Sequence, residues 1–435
     1  MTSRTDYEIF DLGDFTLSGG ATLRGARLAY KTYGTLSENR DNAIVYPTWY
    51  SGRHWDNEWL IGDGMALDPG RYFIIVPNML GNGLSSSPSN TPLPYNASRF
   101  PDVRVQDNVR AQHKLVTERF GIERLVAVTG WSMGAGQAFQ WAVSYPEMVP
   151  RILPFCGSAR TSRHNIVFLE GIKGALTADA AWKGGWYDEQ PGRGLRAFAR
   201  VYAGWGFSQA FYWDEVYRQL GYTSLEDFLV GFWEGFFLDD RDANNLLTML
   251  WTWQHGDVGL TEGFDGDTER ALRSIRAHAI VMPAEKDLYF PPEDNAWEVE
   301  RMPNAELRVI PGVWGHFAGG GGNPTDTAFI DQGLKDLLSM LVRAEPTAPS
   351  PRTAQSPATL VAGVRNAPDS EVIAAVAHVT QVHERDVRLG EQFADDGHGV
   401  LAVVYHDAAG DPAVPVVSAN DLQAVAQAGR VPAWS

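Results

Sequence analysis

Six short apolar runs recur along the chain: NAIVYPT (42–48), YFIIVPN (72–78), RLVAVTG (124–130), RILPFCG (151–157), HAIVMPA (278–284) and ELRVIPG (306–312). Each has the length of one buried strand and closes at turn residues such as Pro, Gly or Asn. Helical patterns lie between them, at 103–119, 133–145, 266–277 and 292–301. Strands that alternate with helices pair in parallel through crossover connections. The pattern therefore predicts an α/β fold with a doubly wound, mostly parallel sheet.

The alternation breaks between 166 and 265, where no strand-like run appears. In SLEDFLVGFWEGFFL, the residues Leu225, Phe228, Leu229, Phe232, Trp233 and Phe236 recur at helical spacing. Ser224 followed by Asp227 reads as a capping box. The expected organisation is a sheet core in two parts, 1–165 and 266–342, with a helical lid at 166–265 between them. Pro346, Pro349, Pro351 and Pro357 mark a linker over 343–358. A C-terminal extension follows at 359–435, with a helical pattern at 370–389 and a strand-like VLAVVYHD at 400–407. No motif in it carries recognisable chemistry.

Composition narrows the function. The chain has 36 Lys+Arg against 53 Asp+Glu, a net charge of −17 in 435 residues. That balance argues against a nucleic-acid partner, because phosphate recognition needs clustered Lys and Arg. The single cysteine, Cys156, excludes an intramolecular disulfide framework and a Cys-rich zinc site. The start lacks an apolar leader, and no apolar stretch reaches membrane-spanning length. The expectation is a cytoplasmic enzyme, without a membrane partner and compatible with a homodimer. Seven of the 15 Trp fall between Trp182 and Trp253, inside the helical lid. Most are expected to be lid core rather than pocket wall.

The chemistry centres on Gly-Trp-Ser-Met-Gly, residues 130–134. It joins the strand RLVAVTG directly to the helix AGQAFQWAVSYP. G-x-S-x-G alone is a weak motif. A strand before it and a helix after it are what a nucleophile elbow requires. That turn presents the Ser132 hydroxyl at a helix N-terminus, where backbone N–H groups can meet an oxyanion. A serine hydroxyl needs a base to become a nucleophile. Of ten histidines, His316 follows the late strand ELRVIPG, on the same sheet edge as the elbow. His278 starts a strand, and His54, His113, His164 and His255 sit in loops or helices; the other four lie beyond the linker. Asp287, in the loop after HAIVMPA, is the expected acid, ahead of Glu285 and Asp294. The order Ser, Asp, His along the chain is that of this elbow's triad. Met133, with Trp49 or Tyr50, is expected to supply the backbone donors of the oxyanion hole. No spacing suggests a metal site or a dinucleotide. LGNGLSSSPSN (80–90) lacks the phosphate-loop Lys and reads as a loop beside the site.

Together these segments resemble the homoserine O-acetyltransferase family of the α/β-hydrolase superfamily. The resemblance spans roughly residues 7–342. It rests on YKTYGTLSENRDNAIV, DPGRYFIIVPNMLGNG, the elbow, GSARTSRHNIVFLEGIKGALTADAAW, AEKDLYFPP and GVWGHF. It implies Ser132, Asp287 and His316 as the triad and a helical lid over the pocket. It also suggests Arg200 as a carboxylate-binding residue. Two departures bear on the substrate. The acetyltransferases usually place an Asp directly after the His, where it binds an amino group; here Phe317 stands there. Their Leu-Thr-Gly oxyanion loop is replaced by Trp49, Tyr50 and Ser51. Homoserine is therefore not the expected acceptor.

The expected activity is serine acyl transfer through an acyl-Ser132 intermediate, with water as acceptor and a small ester as substrate. No cofactor is expected. The alternative is an O-acyltransferase with acetyl-CoA as co-substrate. A non-catalytic binding protein on the same fold would need a missing triad member, and none is missing. Phe317, Trp131 and the aromatic lid predict a pocket for an apolar or aromatic acyl or acceptor group.

Overall fold

The computed structural model describes residues 4–340, together with two short strands at Gly363–Val364 and Val400–Leu401. The chain divides into two compact units, Met1–Val342 and Arg343–Ser435. In the second unit the two short strands pair antiparallel. The linker at 343–358, the helical pattern at 370–389 and the remainder of 402–407 lie outside the described residues.

The first unit is built on an eight-stranded sheet. Its strands are β1 (Glu8–Thr16), β2 (Thr22–Tyr33), β3 (Ala43–Val45), β4 (Phe73–Pro77), β5 (Ala127–Trp131), β6 (Arg151–Phe155), β7 (His278–Val281) and β8 (Ala305–Leu307). They lie side by side as β1-β2-β4-β3-β5-β6-β7-β8. Every apolar run read from the sequence supplies one of β3 to β8. These six pair in parallel, whereas β1 and β2 form an antiparallel hairpin joined to β4.

Continuous apolar runs suit this sheet because both faces are covered. Successive residues of one strand enter opposite cores. Ile44 and Ile280 pack on one side, and Val45 and Val281 on the other. The first of these cores continues upward into the lid through Phe168, Phe198, Phe228 and Trp233.

Four of the elements between the strands matter for the site. They are α1 (Val105–Lys114), α2 (Met133–Ser144), α3 (Arg163–Thr177) and α4 (Gly192–Gly206). The helical pattern at 292–301 forms Pro292–Val299, and that at 266–277 is helical only over Thr268–Arg273. Between β6 and β7 the described chain is helical, with Leu225–Leu238 continuous through a π-helical stretch at Leu229–Glu234. The capping box there is displaced by one residue. Ser224 Oγ accepts the Asp227 N–H at 3.1 Å, but the Asp227 carboxylate reaches back to the Thr223 N–H at 2.8 Å. Leu225 lies outside the buried stripe and is exposed.

Candidate active site

Ser132 occupies the turn between β5 and α2 with φ +57° and ψ −123°. A non-glycine residue held at that φ is strained, which fits a residue fixed by its surroundings. The flanking glycines have a steric cause. A Cβ on Gly130 would sit 2.4 Å from the Gly134 backbone, and one on Gly134 would sit 2.8 Å from the Pro47 carbonyl oxygen. Only glycine lets the chains approach this closely.

The neighbouring strands bring the partners. Asp287 follows β7 and His316 follows β8, so both reach the sheet edge where β5 ends. His316 Nε2 lies 3.0 Å from Ser132 Oγ, and His316 Nδ1 lies 2.8 Å from Asp287 Oδ2. A carboxylate can only accept, so the ring proton belongs on Nδ1, leaving Nε2 to accept from the serine hydroxyl. All three side chains are buried. The other Asp287 oxygen accepts the N–H groups of Tyr289 and Phe290 at 3.1 and 3.0 Å. The histidine ring is held as well. Trp131 stacks on it at 5.0 Å and donates Nε1–H to its carbonyl at 3.2 Å. The structure thus brings Ser132, His316 and Asp287 into one hydrogen-bonded chain. Glu285 points elsewhere, toward Lys286 and Gly312.

The loop after β3 faces the elbow. The Thr48 carbonyl accepts from Gln137 Nε2, its hydroxyl from the Met79 N–H, and the Gly52 carbonyl from Asn82 Nδ2. The 80–90 loop is therefore a brace for this segment, beside the site as expected. Among the described residues, the N–H groups of Trp49, Tyr50 and Met133 enter no hydrogen bond. All three residues border a cavity at Ser132.

The main cavity has a volume of about 210 Å³ and contains Ser132 and His316 in its wall. Aromatic side chains, among them Trp49, Trp131, Phe232, Trp233, Phe236 and Phe317, form most of the remainder, and Asp56 is its one carboxylate. Drug-sized ligands occupy pockets of roughly 300–1,000 Å³, so this one suits a small molecule. Phe317 stacks on Phe207 at 4.4 Å and meets Trp233 edge-on at 5.4 Å, which ties the His316 loop to the lid.

Arg200 is corrected. It lies outside the cavity wall, and its guanidinium pairs with Glu234 at 2.5 Å and Glu226 at 2.6 Å. One exposed and one buried carboxylate of the lid take up the charge that would have met a substrate carboxylate. The tryptophan cluster also divides. Only Trp233 of the seven borders the main cavity; Trp213 is 87% exposed, and Trp253 is buried. Sequence reasoning missed Tyr289, which lines the cavity with its ring 4.4 Å from that of His316. It also missed Asp56. The signal for Tyr289 was its place two residues after Asp287; Asp56 had none.

Among the described residues no cluster of His, Cys, Asp and Glu could hold a metal, and no helix is long and apolar enough to cross a membrane.

A model of the α/β-hydrolase fold family matches residues 47–320. The ethyl acetate hydrolase of Pseudomonas veronii is 41% identical over 339 residues, which cover 77% of this chain and 95% of that protein. The homoserine O-acetyltransferase of Trichormus variabilis is 33% identical over 335 residues, 73% of this chain and 90% of that one. The solved structure of an acetylester hydrolase from Corynebacterium glutamicum matches with a TM-score of 0.75 at 40% identity, covering 77% of this chain and 96% of that one. The chain belongs to the α/β-hydrolase family, in the homoserine O-acetyltransferase-like group that includes named esterases.

Proposed function

We propose that this enzyme hydrolyses small esters through an acyl-Ser132 intermediate. One observation carries the reading: the Ser132–His316–Asp287 chain opens into a small aromatic cavity with no Lys or Arg in its wall. Ser132 Oγ attacks the ester carbonyl as His316 Nε2 takes its proton. Asp287 holds the ring orientation and stabilises the imidazolium. The N–H groups of Met133 and of Trp49 or Tyr50 receive the oxyanion. His316 then protonates the departing alcohol, activates water, and returns the proton to Ser132 as the acid leaves. No cofactor takes part in these steps. The relatives named as ethyl acetate hydrolase and acetylester hydrolase support a short acyl group. Cytoplasmic action, with or without assembly into a homodimer, completes the reading.

An O-acyltransferase using acetyl-CoA shares the first half-reaction, and the likeness to homoserine O-acetyltransferases favours keeping it as the second reading. Phe317 stands where that family's Asp would meet the amine, and Arg200, paired with Glu226 and Glu234 outside the cavity, leaves no Lys or Arg in the wall for the carboxylate of homoserine.

A fluorophosphonate probe should label the wild type and not Ser132→Ala. p-Nitrophenyl acetate should be hydrolysed without any added alcohol. Equal labelling of both proteins would overturn the serine mechanism. Acetyl-CoA turnover confined to assays with an alcohol acceptor would replace hydrolysis by transfer.

A further inference from the structure

Asp56 is the one carboxylate in the wall of the aromatic cavity, and none of the acyl-transfer steps uses it. It stands in the loop that also carries Trp49 and Tyr50. Its Oδ2 accepts the Arg53 N–H at 2.9 Å, and its own N–H donates to the Arg53 carbonyl at 2.8 Å. Asn78 and Asn82 hold the same loop, at the His54 N–H and the Gly52 carbonyl. The carboxylate is therefore fixed before any substrate arrives.

Its other oxygen is free. Among the described residues Oδ1 has no hydrogen-bond partner, and it is not among the orphaned atoms sealed from solvent. A half-buried carboxylate with one open oxygen is an acceptor in want of a donor. Burial pushes its carboxyl up from the usual value, against the Arg53 N–H and the charges of Arg241 and Arg53. Neither guanidinium forms a salt bridge with Asp56 among the described residues. Arg53 pairs with Asp240 at 2.9 Å. Arg241 donates to the Phe236 and Asp239 carbonyls and lies 3.7 Å from the Phe236 ring centre. They supply positive charge near Asp56 but no hydrogen bond to Oδ1. The missing group is thus a neutral donor, because a further cation would meet two guanidiniums.

We propose that Asp56 selects acetate esters whose alcohol carries a second hydroxyl, the monoacetates of short diols, with Oδ1 accepting that hydroxyl. The proposal rests on the ester-hydrolase reading and names the alcohol half of its substrate. The hydroxyl falls on the alcohol because an acetyl group has none to offer. A hydroxyl on a carboxylate makes a charge-assisted bond, about twice as strong as one between neutral groups. The bond chemistry remains that of Ser132 and His316: the monoester and water give the free diol and acetic acid.

The test compares kcat/KM for 2-hydroxyethyl, propyl and 2-methoxyethyl acetate. Propyl acetate matches the first in size but has no donor; 2-methoxyethyl acetate keeps the oxygen as an acceptor only. The wild type should favour 2-hydroxyethyl acetate over each of the others by about tenfold or more. Asp56→Asn keeps an oxygen for the Arg53 N–H and turns an N–H toward the substrate, which serves a hydroxyl and an ether oxygen alike. Its preference for 2-hydroxyethyl over 2-methoxyethyl acetate should fall to within about threefold. A general disturbance of the site would slow all three esters together, and unmoved ratios in the variant would overturn the role of Asp56. Lack of any preference in the wild type would overturn the proposal without a variant. So would faster turnover of acetylcholine than of 2-hydroxyethyl acetate, which would make the aromatic wall a cation site. An equal gain from a hydroxyl on the acyl side, in ethyl glycolate against ethyl acetate, would also overturn it. Hydrolysis of propyl acetate alongside any of these results would leave the ester-hydrolase reading standing. No turnover of any ester, with no fluorophosphonate label on Ser132, would end both.

Discussion

Asp287 grips His316 with one carboxylate oxygen and its own loop with the other, through the N–H groups of Tyr289 and Phe290. The carboxylate therefore cannot turn without breaking its own loop. Asp287→Asn can keep the two backbone bonds on its oxygen. Its amide then presents N–H groups to Nδ1, which favours the wrong ring tautomer. The expected result is a loss of about 10⁴-fold in kcat with the fold intact. Steady-state kinetics on p-nitrophenyl acetate, beside a thermal unfolding curve, decides it. A loss below tenfold would show that Asp287 does not set the tautomer.

Phe317 invites a different substitution. Phe317→Asp restores the residue that homoserine acetyltransferases usually carry, but the site around it has changed. The ring packs on Phe207, Phe232 and Trp233, and Arg200 is held by Glu226 and Glu234. A carboxylate placed there would lose the aromatic contacts and gain no cation. The variant should lose about 2–4 kcal/mol of stability and gain no homoserine acetylation. Urea unfolding and an acetyl-CoA assay with homoserine are the measurements. Transfer to homoserine by this single variant would mean that Phe317 alone sets the acceptor.

Arg200 should be silent in catalysis. Arg200→Ala is expected to leave kcat and KM for small acetate esters within about twofold of wild type. Its cost falls on the lid. Glu234 is buried and keeps Arg196 as a partner, so about 1 kcal/mol of stability should be lost. A rise of tenfold or more in KM would place the guanidinium at the substrate after all.

What could be read from the sequence follows from how local each signal is. Ser132, Asp287 and His316 each stand just past an apolar run, and parallel strands gather such positions at one sheet edge. The β1–β2 hairpin was missed because its core positions, such as Leu23, Leu28 and Tyr30, are interleaved with Arg24 and Arg27 and broken by Gly13 and Gly25. Continuous runs announce central strands; an edge hairpin does not have them. Arg200 was misplaced because its partners Glu226 and Glu234 lie 26 and 34 residues away, beyond any local pattern. The lid tryptophans share one composition, yet Trp233 reaches the cavity and Trp213 faces solvent. Helix orientation decides between them, and composition does not contain it.

Glu298 makes the stability of the site depend on pH. Its carboxyl is buried at the base of the loop that follows β6. It accepts the Ala159 N–H at 2.7 Å and Asn295 Nδ2 at 2.7 Å, while Asn295 also donates to the Gly157 carbonyl. Gly157 in turn backs the elbow, since a Cβ there would sit 2.4 Å from the Ser132 carbonyl oxygen. Burial pushes the Glu298 carboxyl up to about 8, against the opposing pull of these hydrogen bonds. An unfolded glutamate titrates near 4.3. Between these two values the folded chain keeps a proton that the unfolded chain has released. The stabilisation from Glu298 is then complete below about pH 4, falls as pH rises through this window, and is gone above about 8. The slope is at most about 1.4 kcal/mol per pH unit from this one group. Glu298→Gln has no such proton to lose. Its stability relative to wild type should rise by a few kcal/mol from about pH 5 to about pH 8.5. Urea midpoints of both proteins at the two pH values measure this. A difference between them that stays constant with pH would show that Glu298 is already ionised in the folded chain at pH 5.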